Sequence, residues 1–168
     1  MLRAGLALCL VLLLTLTVFA KESTYWWENA PPPVHHGRQM PTSWWKAAKR
    51  SAKDHGCSPF DIVAVMIIES GPRPFRQDKK TVGRGRNGRK YIRPMGFNRY
   101  CNIPEDVMYT PEKQIYWAGK LLAGNLRKRL KSYNAKWYKN HYIRDVIRTS
   151  RKLQREAKEQ IRLQKYGF

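Results

Sequence analysis

Ser58-Pro59-Phe60-Asp61-Ile62-Val63-Ala64-Val65-Met66-Ile67-Ile68-Glu69-Ser70 is the stretch on which the fold turns. Ser58 is a helix cap. Pro59 suits the first helical position, where its missing N–H has no intrahelical partner anyway, and Asp61 complements the positive helix end. The spacing predicts a helix from Pro59 to about Ser70. Ile62 to Ile68 is apolar on every side, so this helix belongs at the buried centre of the domain. Its last turn holds a carboxylate, Glu69. Partial burial and the negative end of the helix dipole both favour the neutral acid and raise its pKa. That is the condition for a general acid near neutral pH. The alternative reading of Glu69 is a helix-end carboxylate neutralised by Arg73 or Arg76.

Upstream, Trp44, Ala47, Ala48, Ser51 and Ala52 share one helical face, with Thr42 or Ser43 as cap and Gly56 just past the end, which predicts a helix over 43–55. Downstream, periodicity disappears between Gly71 and Pro94. Asn87-Gly88 is a hairpin signal there, so the segment reads as a basic loop containing a small β-ribbon. Thr110-Pro111-Glu112 opens another capped helix, whose Ile115, Ala118, Leu122, Leu126 and Leu130 predict one amphipathic helix to about Lys131. After Ser132-Tyr133-Asn134-Ala135 a last helical pattern runs through Tyr142, Val146, Ser150 and Leu153 toward Leu163. Its outer end is rich in Lys, Arg and Gln and is expected to protrude. Residues 21–41 contain Pro31-Pro32-Pro33 and few aliphatics, which marks a linker or extended arm. Tyr25-Trp26-Trp27 inside it either packs back on the domain or clamps a sugar. The expected fold class is mainly α with a small β-ribbon and loop region after the central helix.

The chain has 168 residues, with 33 Lys plus Arg against 12 Asp plus Glu, a net charge of +21, 12% aromatic and 42% hydrophobic residues. Those numbers fit one globular domain and exclude an aromatic-poor disordered chain. Met1-Leu2-Arg3, the apolar run Ala4 to Val18 and Val18-Phe19-Ala20 have the order of a secretory signal peptide. The alternative is an uncleaved inner-membrane anchor, because an apolar stretch of about 17 residues is at the lower edge of what spans a bilayer. Either reading places the chain in the periplasm or facing it. The resulting organisation is 1–20 signal or anchor, 21–41 Pro-rich linker or arm, 42–153 folded domain and 154–168 basic helical extension.

In an exported chain Cys57 and Cys101 form a candidate disulfide across a loop of roughly 45 residues, a bridge that stabilises by about 3–4 kcal/mol in the loop-entropy picture. Two separate buried thiols are the other possibility. Neither cysteine has zinc-site spacing and His35-His36 lies in the Pro-rich stretch, so no metal and no cofactor is expected.

Four segments in order carry a family resemblance. Ile68-Glu69-Ser70-Gly71 is followed by Pro94-Met95-Gly96-Phe97-Asn98. Pro111-Glu112-Lys113-Gln114-Ile115-Tyr116-Trp117-Ala118-Gly119-Lys120-Leu121-Leu122 comes next, and then Tyr133-Asn134-Ala135. This series resembles the lytic transglycosylase (SLT) domain. That family has Glu-Ser at the end of a buried helix, a Gly-Leu-Met-Gln segment, an Asn-Ile…Gly…Leu helix and a Tyr-Asn-Ala-Gly turn. Tyr142-Ile143-Arg144-Asp145-Val146 also resembles the family's Tyr-Val-x-x-Val. The match covers roughly 58–153. Two departures stand out: Arg93-Pro94-Met95-Gly96 lacks the family's Gln, and Lys136 replaces the Gly after Tyr-Asn-Ala.

The resemblance implies a lysozyme-like fold and cleavage of the β-1,4 bond between N-acetylmuramic acid and N-acetylglucosamine in peptidoglycan. Glu69 is then the catalytic acid and base, giving a 1,6-anhydro product. It also implies substrate contacts for Ser70, Met95, Tyr133 and Asn134, with Asn98 as the candidate to replace the missing Gln. One carboxylate suffices for that reaction, whereas two-carboxylate glycosidases place a partner about 5–9 Å away. The nearest acidic candidate, Asp78, reads as surface. Hydrolysis in the manner of goose-type lysozymes is the related alternative.

The partner expected from the resemblance is peptidoglycan, for a monomeric enzyme of murein degradation. The charge adds attraction to anionic membrane or wall polymers, and enzymes of this kind also serve secretion or appendage machinery. Residues 73–99 hold ten Lys or Arg against one acid with aromatics interleaved, a nucleic-acid signature. The export signal argues against that partner. A non-catalytic cationic binder of wall or nucleic acid is the rival from a different class.

Overall fold

The computed structural model describes residues 25–71, 74–75, 82–84, 90–92, 94–98, 103–133 and 139–167. Two short strands, β1 (Val34–His35) and β2 (Arg38–Gln39), precede helices α1 (Thr42–His55) and α2 (Pro59–Ser70). Strands β3 (Val82–Arg84), β4 (Lys90–Ile92) and β5 (Phe97–Asn98) follow. Helices α3 (Glu105–Met108), α4 (Pro111–Leu122), α5 (Leu126–Tyr133) and α6 (Lys139–Tyr166) complete a mainly helical protein.

The Ser58 cap forms as its chemistry dictates: its hydroxyl accepts from the Phe60 amide at 3.3 Å, and Pro59 starts α2. Every residue from Ile62 to Ile67 is buried, so α2 is the centre of the core. Each large apolar side chain enclosed this way contributes about 1.5–3 kcal/mol, and a charged replacement at Met66 would break the domain.

Helix α6 runs antiparallel along α2, and two polar contacts fix their register. Ser150 donates to the Asp61 carboxylate at 2.6 Å near the start of α2, and Tyr142 faces Glu69 at its end. Each contact is eight residues from the other on both helices, about 12 Å of rise, with the fully buried Val146 between them. Helix α1 crosses α4 more closely still. Ser51 donates to the Tyr116 carbonyl at 2.5 Å, and a Cβ added to Gly119 would lie 2.0 Å from the Ser51 hydroxyl. Only a residue without a side chain fits that crossing.

Two expectations are corrected and one alternative is decided. Of linker and arm, the described part of 21–41 is an arm: from Tyr25 onward it packs on the domain, with Trp27, Ala30, Pro33 and Met40 buried. Trp45 donates to the Ala30 carbonyl at 2.8 Å, and β1 pairs with β2 in register Val34↔Gln39 and His35↔Arg38. Single large side chains anchor this arm, which leaves no periodic signature. Of the two readings of Tyr25-Trp26-Trp27, packing holds for Trp27, which is buried and stacked on Tyr25 at 4.7 Å.

The helix expected from 110 to 131 is two helices. Gly124, at φ +85°, turns the chain after Leu122, and Asn125 caps α5 by accepting from the Lys128 amide at 3.1 Å. The apolar period survives the break because the short connection returns Leu126 and Leu130 to the core side.

The ribbon also has a third strand. Strand β3 pairs antiparallel with β4, as the hairpin signal predicts, and β4 pairs with β5 through Tyr91↔Asn98 and Ile92↔Phe97. Asn87 and Gly88 themselves lie outside the described residues.

Helix α6 continues unbroken into the basic extension. Ala157 is buried and Ile161 is packed on the core, so the helix leaves the domain only around Arg162. Cys57 is half-buried, its thiol pushed up to about 11 by burial. Its candidate partner, Cys101, lies outside the described residues.

Candidate active site

Glu69 stands in the last turn of α2, a turn without basic residues, and no ion pair forms on it among the described residues. Its carboxyl is pushed above the usual range by burial, against a smaller downward pull from the Tyr142 hydroxyl. The neutral acid therefore persists closer to neutral pH than for a free Glu. Arg73 and Arg76, the cations that would neutralise it, lie outside the described residues, as does Asp78.

Tyr142 is the residue that the sequence reading passed over. It is buried at 7% exposure and lies against Glu69, and burial together with that carboxylate drives its phenol far above the ordinary value. The two groups bias each other, and the phenol oxygen is a buried polar atom without a hydrogen-bond partner of good geometry. The Tyr142…Val146 pattern marked the residue in the sequence, but its place beside the acid arises only when α6 folds against α2. One residue of that pattern faces the acid and the other fills the helix crossing.

The second missed residue is Gly96. It adopts φ +67°, and a Cβ there would sit 3.0 Å from Glu69 Oε2 and 3.1 Å from Glu69 Cβ. The turn at 94–96 thus lies directly on the acid. The close approach leaves no room for a side chain at position 96 while the carboxyl stays where it is.

Two side chains pin that turn. Ser70 donates to the Pro94 carbonyl, and the buried Gln114 accepts from the Met95 amide at 3.3 Å. Gln114 also donates to the Met108 carbonyl at 2.5 Å, tying α3 and α4 to the turn. Ser70 and Gln114 are buried polar residues whose bonds are all internal, so their contribution is to position Glu69 and Gly96.

The other expected substrate contacts divide clearly. Met95 is fully buried and belongs to the core, so the expectation that it lines the cleft is corrected. The position follows from the turn: with Gly96 over the acid, the preceding side chain points inward. The backbones of Asn98 and Tyr133 lie in β5 and at the end of α5, with their side chains outside the described residues, and Asn134 is outside them altogether.

Chemically, the arrangement offers one desolvated carboxyl, a phenol beside it and a rigid turn across it. The nearest other semi-buried carboxylate on α2, Asp61, is about 12 Å along the helix, beyond the separation that two-carboxylate glycosidases use. Among the described residues no group of three or more His, Cys, Asp or Glu converges to hold a metal, and no helix is long and apolar enough to cross a membrane. No protein-family model, curated protein or solved structure matches the chain.

Proposed function

We propose that the protein is a peptidoglycan lytic transglycosylase of lysozyme-like fold, with Glu69 as its catalytic acid and base. The observation that carries this reading is the convergence on one carboxyl of segments far apart in the chain. Glu69 meets Gly96 and Tyr142 directly, and Ser70 and Gln114 hold the Gly96 turn. Three of the four segments on which the family resemblance rests are among them, and nothing in core packing alone requires a raised-pKa acid at their meeting point.

In the reaction, protonated Glu69 gives its proton to the oxygen that leaves from the muramoyl C1 as the C1–O bond breaks. The Glu69 carboxylate then takes the proton of the muramoyl C6 hydroxyl while that oxygen bonds to C1. The ring closes as a 1,6-anhydro sugar, no water is consumed and Glu69 returns to its starting state. A raised pKa serves the first step, because the acid is available to protonate. The Tyr142 hydroxyl restrains that rise, so the carboxylate can form for the second step. Peptidoglycan is the partner, the site of action is the periplasm or the periplasmic face of the inner membrane, and no cofactor enters the scheme.

The experiment is digestion of purified peptidoglycan followed by mass spectrometry of the released muropeptides. Anhydro-ended fragments are the expected product. Fragments heavier by one water would make the protein a goose-type-like hydrolase instead, acting through the same acid.

A further inference from the structure

Helix α6 presents seven cations in a line that the Glu69 reading does not use. Arg144, Arg148, Arg151, Arg155, Lys158, Arg162 and Lys165 are spaced alternately four and three residues apart, and all are exposed. That alternation keeps them on one helical face, a row about 31 Å long. The opposite face is committed to the core through Val146, Leu153 and Ala157. The row therefore faces outward on a rigid support. Asp145 and Glu159 contact Arg148 and Arg162 at 3.9 and 2.8 Å, while Arg151 and Arg155 pair with no carboxylate among the described residues. Exposed Arg127 of α5 closes one side of a groove of about 700 Å³ alongside the row. Several guanidiniums around one concavity suit phosphate oxygens, which they bind bidentately.

We infer that this face docks the protein on an anionic phospholipid bilayer. A row of exposed cations along one face of a core-backed helix can meet a plane of headgroup phosphates over several turns. The end of the row also carries exposed apolar and amphipathic side chains suited to a headgroup layer. Leu163 is 39% and Tyr166 65% exposed, and Trp26 is 41% exposed with the Lys158 ammonium 4.9 Å from its ring. A single nucleic-acid strand would need a series of aromatic platforms between the cations; α6 supplies none from Ile143 to Lys165, and Trp26 lies beside Lys158 alone. Docking is electrostatic, since the apolar face of α6 is already buried, and it does not depend on Glu69.

The test uses the chain from Lys21, which contains every described element and the whole buried core. Apolar residues 1–20 are removed because they would adsorb by themselves. Cosedimentation is measured with vesicles of one-third phosphatidylglycerol in phosphatidylcholine, and with pure phosphatidylcholine, at about 0.1 M salt. Each near-surface cation strengthens adsorption roughly fivefold. Arg148→Gln with Arg151→Gln and Arg155→Gln should therefore weaken binding about a hundredfold. The single Arg151→Gln should weaken it about fivefold, and replacing the same three residues by Lys should leave it within about threefold. These side chains are exposed, and helical circular dichroism checks that the fold is kept. An equal loss of charge elsewhere, Lys46→Gln with Arg50→Gln and Lys120→Gln, should have less than about a tenth of the effect. The inference is overturned if wild type ignores the anionic vesicles, or if the Arg148/Arg151/Arg155 and the Lys46/Arg50/Lys120 glutamine variants lose binding equally. It is also overturned if wild type prefers duplex DNA to the anionic vesicles at the same salt and the stripe variant abolishes that preference.

Discussion

Gly96 lies against Glu69 so closely that a Cβ at position 96 would stand 3.0 Å from the Glu69 carboxyl oxygen Oε2. This contact joins a turn in the ribbon region to the end of the central helix, and it makes the position of the acid depend on a residue without a side chain.

Gly96→Ala is accordingly expected to act twice. The backbone at φ +67° costs an alanine about 1 kcal/mol, and the new methyl displaces the carboxyl. Peptidoglycan cleavage should fall at least tenfold, because small misplacements of a catalytic group are expensive in rate. Thermal unfolding and muropeptide release on the same preparation separate the two effects; an unchanged rate would mean that the turn does not set the geometry of Glu69.

Tyr142→Phe should move the pH profile. The proposed reaction needs protonated Glu69, so its kcat/KM falls as pH rises through the pKa of that group. Tyr142 lowers this pKa, and its removal raises it, so the alkaline limb should shift upward. Stability should change by less than about 1 kcal/mol, since the phenol oxygen has no partner of good geometry to lose. A downward shift would contradict the assigned contact.

Ser150→Ala tests the other end of the same helix pair. Its hydroxyl donates to the Asp61 carboxylate, which burial has already pushed upward. Losing a bond to a charged group costs about 1.5–3 kcal/mol, measured by urea unfolding. The pH profile of cleavage should stay where it is, because the contact lies about 12 Å from Glu69.

Stability should also report on Glu69 directly. Its folded pKa is raised above the unfolded value, so the folded state binds a proton more tightly. The stability this contributes is complete below the unfolded pKa and is lost as pH rises through the folded one. Glu69→Gln cannot ionise, and it should melt higher than wild type at neutral pH, with the difference shrinking as pH falls below the ordinary Glu range. Calorimetry of both proteins across pH checks the sign.

Much of the fold was legible because local chemistry and burial agreed. Ser58, Pro59 and the apolar run gave α2 its limits, and Gly56 closed α1. The break at Gly124 was hidden because the apolar spacing continues across it, and the arm was hidden because Trp27 and Met40 anchor it singly. In the site, Glu69 could be singled out from its place at the end of an apolar helix. Gly96 and Tyr142 could not, since their proximity to it arises only when the ribbon and α6 fold against α2. Met95 was misplaced for a related reason: a motif position does not say which way a side chain points once a turn forms.

The central claim is that Glu69 is the acid that cleaves peptidoglycan, and the most direct measurement compares wild type with Glu69→Gln on purified peptidoglycan by mass spectrometry of released fragments. The account predicts anhydro-ended muropeptides from wild type and a loss of at least a hundredfold in the variant, the scale on which general acids contribute. Equal release by both proteins, or none by either while both pellet with the wall, would contradict it.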